Sequence, residues 1–97
     1  MAMLDDVKKA LRISASNTAF DSDVTGLIAA ARADLKLTGV LASKADVDTD
    51  PLINRAVQLY CKANFGFDNP DAERLQESYA MLKIHLTLSQ EYTVAPA

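Results

Sequence analysis

The residues of this chain best equipped for chemistry are few, and they are not grouped. There is one histidine, His85, and one cysteine, Cys61. His85 stands between Ile84 and Leu86, with no second histidine or cysteine at ligand spacing, so the pattern does not build a zinc site. An isolated histidine of this kind reads as structural or partly exposed. Cys61 follows Tyr60 inside a helical stretch, away from any helix N-terminus that would lower its pKa, and reads as a buried, inert thiol. Ser14, Ser16 and Thr18 have no base partner to activate a hydroxyl. Asp46, Asp48 and Asp50 alternate as in part of a calcium loop, but the glycine and the closing glutamate that such a loop needs are missing. A solvated loop and a helix cap account for them. There is no phosphate-binding glycine loop either. No catalytic, cofactor-binding or metal-binding residues are assigned, and the sequence does not read as an enzyme.

The chain that would have to position such residues is short. Its 97 residues suit one domain, and 49% of them are hydrophobic against 24% charged, the balance of a folded globular protein. A domain of this size buries roughly 65% of the surface of its unfolded chain. A core without disulfides or metals is feasible, and any partner that covers further apolar surface adds to stability. The net charge of −3 argues against an electrostatic grip on DNA. Lys8, Lys9 and Arg12 are the one compact basic group, with Asp5 and Asp6 beside them. A lone cysteine suits a reducing compartment such as a cytoplasm. The start of the sequence carries no apolar leader, and no apolar run approaches a membrane span.

Periodicity predicts four helices. The first covers about Met3 to Arg12, with Leu4, Val7 and Leu11 on one face. The second starts near Asp21, whose carboxylate can cap it, and carries the stripe Val24, Leu27, Ile28, Ala31 and Leu35 up to a stop at Gly39. Gly26, in its interior, lowers helix propensity. Val40 to Thr49 forms the longest loop. The third helix opens at Asp50-Pro51 and ends at Gly66, and Asn69-Pro70 repeats that start for a fourth reaching about Ser89. The expected fold is an all-α four-helix bundle over residues 1–89, with an irregular tail over 90–97.

Two of these helices are apolar on two sides. The third has one face of Leu52, Ile53, Ala56, Leu59, Tyr60 and Ala63, and a second stripe of Val57, Cys61 and Phe65. The fourth has a seam of Leu75, Tyr79, Leu82 and Leu86, with Met81, Ile84 and Leu88 around the back. Either the third helix is central and surrounded by the others, or its second stripe meets a partner. The same central position is hard to grant to both helices at once. Val57, Phe65, Met81, Ile84 and Leu88 are therefore the candidate subunit-interface residues. Tyr92 and Val94 extend the apolar character into the tail.

In order along the chain, Met3-Leu4-Asp5-Asp6-Val7-Lys8-Lys9-Ala10-Leu11-Arg12-Ile13, Ala29-Ala30-Ala31-Arg32-Ala33-Asp34-Leu35 and Asp50-Pro51-Leu52-Ile53 resemble the head–tail connector proteins of tailed phages. So do Tyr60-Cys61-Lys62-Ala63-Asn64-Phe65-Gly66-Phe67-Asp68-Asn69-Pro70 and the stretch from Tyr79 to Tyr92. The resemblance implies a head-completion adaptor, sometimes described as a DNA-packaging protein, with a small helical-bundle fold and no enzymatic activity. It implies a ring beneath the portal, a dodecamer in the virion, that joins head to tail through a tail-completion protein and lets DNA pass without sequence-specific binding. Such a protein belongs to the virion neck and, during assembly, to the host bacterial cytoplasm. By the same resemblance the segment from Ser89 to Ala97, with Tyr92 and Val94, corresponds to the portal-docking end. Lys44, Asp46 and Asp48, in the long acidic loop, are the candidates for the channel. The competing readings are a monomeric helical module that binds one partner through the fourth helix, and a DNA-binding regulator.

Overall fold

Asp50 begins the helix around which the rest is arranged. Its Oδ1 accepts from the backbone N–H groups of Leu52 and Ile53 at 3.0 and 3.2 Å, and Pro51 occupies the first turn, where its missing N–H costs nothing. The computed structural model describes residues 3–66 and 69–94. In chain order the helices are α1 (Met3–Ala10), α2 (Asp21–Leu37), α3 (Ala42–Ala45), α4 (Pro51–Asn64), α5 (Ala72–Leu88) and α6 (Gln90–Thr93). Among the described residues there is no strand. The fold is a small all-α bundle.

The four longer helices correspond to the four read from the sequence. The two short ones lie where loop and irregular tail were expected. α3 interrupts the Val40–Thr49 segment, and α6 turns the tail back onto the body, where the backbone N–H of Leu41 donates to the carbonyl of Tyr92 at 2.8 Å. Residues 95–97 of the expected tail, and Phe67 and Asp68 of the motif before Pro70, lie outside the described residues.

Side-chain links fix the helix directions. Asn54, one turn into α4, donates to Asp6 of α1 at 2.8 Å, while Leu11 and Arg12 share a cleft with Lys62 near the end of α4, so α1 and α4 run parallel. Phe20, before α2, meets Phe65, after α4, edge to face at 5.6 Å, and Lys36 near the end of α2 reaches Asp46 just before α4. α2 is therefore antiparallel to α4. Asn69 reaches the carbonyl of Lys62 before α5 begins, Tyr79 meets Tyr60 at 5.3 Å, and Tyr92 meets Asp50 beyond its end. α5 is antiparallel to α4 as well, and hence parallel to α2.

α4 packs against α1, α2 and α5 together. Ile53, Ala56, Val57, Leu59, Cys61 and Ala63 are all buried, so the middle of both apolar stripes is covered inside one chain, while Leu52 at one end is 45% exposed and Phe65 at the other is half-buried. Val57 and Cys61 expose nothing at all.

Two helix ends use the same device. The N–H of Val40 donates to the carbonyl of Leu35 and that of Gly39 to Lys36, with Gly39 at φ 112°. After α1, Ile13 and Arg12 repeat the pattern on Lys8 and Lys9, but the left-handed position holds Arg12, at φ 62°. At the other ends the cap readings shift. Asp21 does not cap α2; it faces Lys8 at 2.8 Å. Asn69 accepts from the N–H of Asp71 at 3.0 Å, a turn that delays the start of α5 to Ala72.

Candidate assembly surfaces

The outer face of α5 is the largest departure from a covered core. Leu75, Tyr79 and Leu86 are buried in the seam, whereas Met81, Ile84 and Leu88 are exposed by 61%, 55% and 78%. At 100° per residue these three fall within an arc of about 60°, so they stand as one ridge along the second half of the helix. The ridge faces no other part of the described chain.

α5 is clamped from its inner side. The Tyr79 hydroxyl donates to Asp34 of α2 at 2.6 Å, and Lys83 Nζ donates to the same oxygen at 3.0 Å while lying over the Tyr79 ring. Burial pushes the Asp34 carboxyl up, but the two hydrogen bonds and the Lys83 charge outweigh it and hold the group below its usual range. Burial, and then the Asp34 carboxylate, push Tyr79 upward, so it stays a neutral donor. The clamp lies on the same side of α5 as the buried seam, opposite the ridge.

The other candidates fall in different places. Val57 cannot serve as a subunit contact: it is fully enclosed by its own chain, because α4 is the helix the others surround. Cys61 beside it is buried, and its thiol is pushed up to about 12 by burial, which matches an inert cysteine. Phe65 is half-buried against Phe20 and stands on an open groove of ≈ 690 Å³ with Gly26, Leu27 and Asn64. Phe20 itself is 41% exposed, so this end of the bundle presents a second apolar surface.

Tyr92 does not project toward a partner. Its side chain is buried, its hydroxyl donates to both oxygens of Asp50 at 3.0 and 3.1 Å, and Lys44 sits over its ring. Burial, and then the hydrogen bond to Asp50, push the phenol up to about 12. The tail folds inward here because the Asp50 carboxylate that caps α4 also offers the hydroxyl an acceptor. Val94, two residues on, is exposed.

The acidic loop is similarly tied down. Asp46 pairs with Lys36 at 3.0 Å, and Asp48 pairs with Arg32 and accepts from the N–H of Met3. The Arg32 hydrogen bond is the main cause holding Asp48 below the ordinary carboxylate range, against a smaller burial effect. Lys8 is not part of a basic surface. It is 4% exposed and donates to the carbonyls of Ala15 and Asn17 as well as facing Asp21. That leaves Lys9 and Arg12 exposed from the basic group.

One surface escaped the reading of the sequence. The side of α2 opposite its buried stripe carries Ser22, Gly26, Ala29 and Ala33, all exposed and uncharged, and then Leu37 at 86% exposure. The signal was present as small residues at helical spacing, but small residues add little to an apolar stripe and so draw no attention.

Among the described residues no three His, Cys, Asp or Glu side chains are placed to hold a metal ion, and no helix is long and apolar enough to cross a membrane. The fold and its surfaces define a small all-α protein whose distinctive feature, among the described residues, is uncovered apolar area. The chain matches the phage connector protein family over residues 3–93 and belongs to that family. The family is structural, and its members are virion components. No curated protein and no solved structure matches the chain.

Proposed function

We propose that the chain is the head–tail connector of a tailed phage or prophage, forming a ring beneath the portal through which DNA passes to the tail. The observation that carries this reading is the uncovered ridge of Met81, Ile84 and Leu88, in a member of the connector family. Contiguous exposed apolar side chains on a soluble domain mark a contact surface. Identical copies meeting head to tail close into a ring, a dodecamer where the portal supplies the template. Portal and tail-completion protein are its expected neighbours, and Val94 is the exposed apolar residue at the portal-docking end.

The charge pattern suits a conduit. A net charge of −3 leaves few cations to hold phosphates, so DNA slides rather than binds. The segment with Lys44, Asp46 and Asp48 lines the channel as a stiff wall, its carboxylates already paired with Lys36 and Arg32.

Negative-stain imaging of the purified chain, alone and with its portal, tests this directly. Rings or portal-capping density are expected. Charged replacements of Met81, Ile84 and Leu88 together should abolish assembly while circular dichroism keeps its helical signal. A strictly monomeric wild type with no affinity for portal would remove the proposal and favour a module that binds one other partner through α5.

A further inference from the structure

Two helix faces, not one, lie open on this chain. α2 and α5 both pack on α4, run in the same direction, and turn their outer sides away from the core. The outer side of α5 is a ridge of large apolar residues. The outer side of α2 is low: exposed Gly26 and Ala33, with half-buried Ala30 at the edge of the face, lead to Leu37. Gly26 sits in ordinary helical backbone, and a Cβ added to it would meet nothing within 4 Å. Among the described residues nothing therefore requires a glycine at a position where it weakens the helix. An approaching neighbour does give it a use, because small residues let a second helix come close.

We infer that the outer face of α5 in one copy packs in parallel against the outer face of α2 in the next, with Arg74 opposite Asp23 and Leu88 opposite Leu37. The inference rests on the ring reading above and names the surfaces that close it. Copies related by rotation about an axis along the bundle keep their helix direction, so a contact from α5 to the next α2 is parallel. In that direction the two faces match in register. Asp23, Ala30, Ala33 and Leu37 have the same spacing along α2 as Arg74, Met81, Ile84 and Leu88 along α5. Met81 and Ile84 of the ridge then meet Ala30 and Ala33, large against small, as interlocking helices at 8–10 Å separation require. The exposed carboxylate of Asp23 meets the exposed guanidinium of Arg74, whose contact within the chain is a long 3.7 Å pair with Asp71. Leu37 and Leu88, the two most exposed large apolar residues among those described, cover one another. Because the two faces differ, the contact is head to tail and leaves a free copy of each at the ends until the ring closes.

Cysteine cross-linking tests the pairing. Leu37→Cys and Leu88→Cys chains are mixed at a concentration where the wild type associates, and oxidised; Cys61, fully buried, stays out of the reaction. The mixed product is expected to exceed that of either chain alone by about tenfold, since a disulfide forms only with Cβ atoms about 3.5–4.5 Å apart. A chain carrying both changes should give a ladder of covalent oligomers. Asp23→Arg or Arg74→Asp alone should weaken association by about threefold, and the two together should restore it. If Leu88→Cys links to itself, two α5 ridges meet around a two-fold axis and the inference is overturned while self-assembly stands. An assembled species with no link between positions 37 and 88 overturns it in the same way. Absence of any assembly, with or without portal, removes the connector reading itself.

Discussion

α4 and α5 look alike in sequence and end in opposite situations. Each is apolar on two sides, yet α4 has the middle of both stripes enclosed by α1, α2 and α5, with Leu52 and Phe65 open at its ends, while α5 has one stripe covered and one bare. The width of an apolar face reports how much surface needs covering and says nothing about whose side chains cover it. In α4 the second stripe belongs to folding. In α5 it stays uncovered, and in the proposed ring it is the surface that meets the next copy.

Charge placed on the two helices should separate these cases by the widest margin. Val57→Asp puts a carboxylate where the side chain has no exposure to water at all. A loss on the order of 3–5 kcal/mol is expected in urea unfolding, a large share of the roughly 5–15 kcal/mol that holds a domain of this size. A folded Val57→Asp protein that fails only to assemble would return Val57 to the interface and break the distinction.

What could be read in advance follows from the range of the forces involved. Helix positions, the Asp50-Pro51 start and the stop at Gly39 are local, each set within a few residues, and they stand in the structure. The central place of α4 is a tertiary fact, as is the burial of Lys8. Its ammonium is satisfied by Ala15, Asn17 and Asp21, which no helical period brings together. Asp21 was a plausible cap, but the cation of α1 captured it. Tyr92 had the composition of a docking residue, and what turned it inward is Asp50, distant in sequence. The ridge of Met81, Ile84 and Leu88 was legible because it is a periodic feature of one helix. The face of α2 was not, because glycine and alanine are equally at home on a solvated helix surface.

A smaller effect should test the clamp on the inner side of α5. Folding lowers the pKa of Asp34 below its usual 3.8, because Tyr79 and Lys83 favour the carboxylate despite its partial burial. The folded state therefore binds this proton less readily than the unfolded one. The resulting stability is fully present above about pH 4 and is lost as pH falls through the folded value. Asp48 is lowered in the same sense by Arg32. Asp34→Asn should cost about 1 kcal/mol at neutral pH, modest because the ion pair is partly exposed. It should also flatten the acid limb of a plot of urea midpoint against pH. An unchanged acid limb would mean that seam packing alone orients α5.

The smallest expected change is the most discriminating. Ile84→Glu adds a charge to a side chain that is 55% exposed and lies opposite the buried seam. The monomer loses no core contact, so its unfolding free energy should stay within about 0.5 kcal/mol of wild type. Glutamate also has good helix propensity, which offsets part of any loss from the isoleucine. Association, read by sedimentation velocity, should nevertheless fall sharply, since a carboxylate would be driven against Ala33 of the neighbour with no cation to meet it. The same element then supplies two independent free energies, one for holding α5 on the bundle and one for holding the next copy on α5. A substitution that moves the second and leaves the first unchanged is the signature of a helix whose two faces have separate work. If Ile84→Glu instead lowered monomer stability as Val57→Asp does, the ridge would be core, and the contrast between the two helices would disappear.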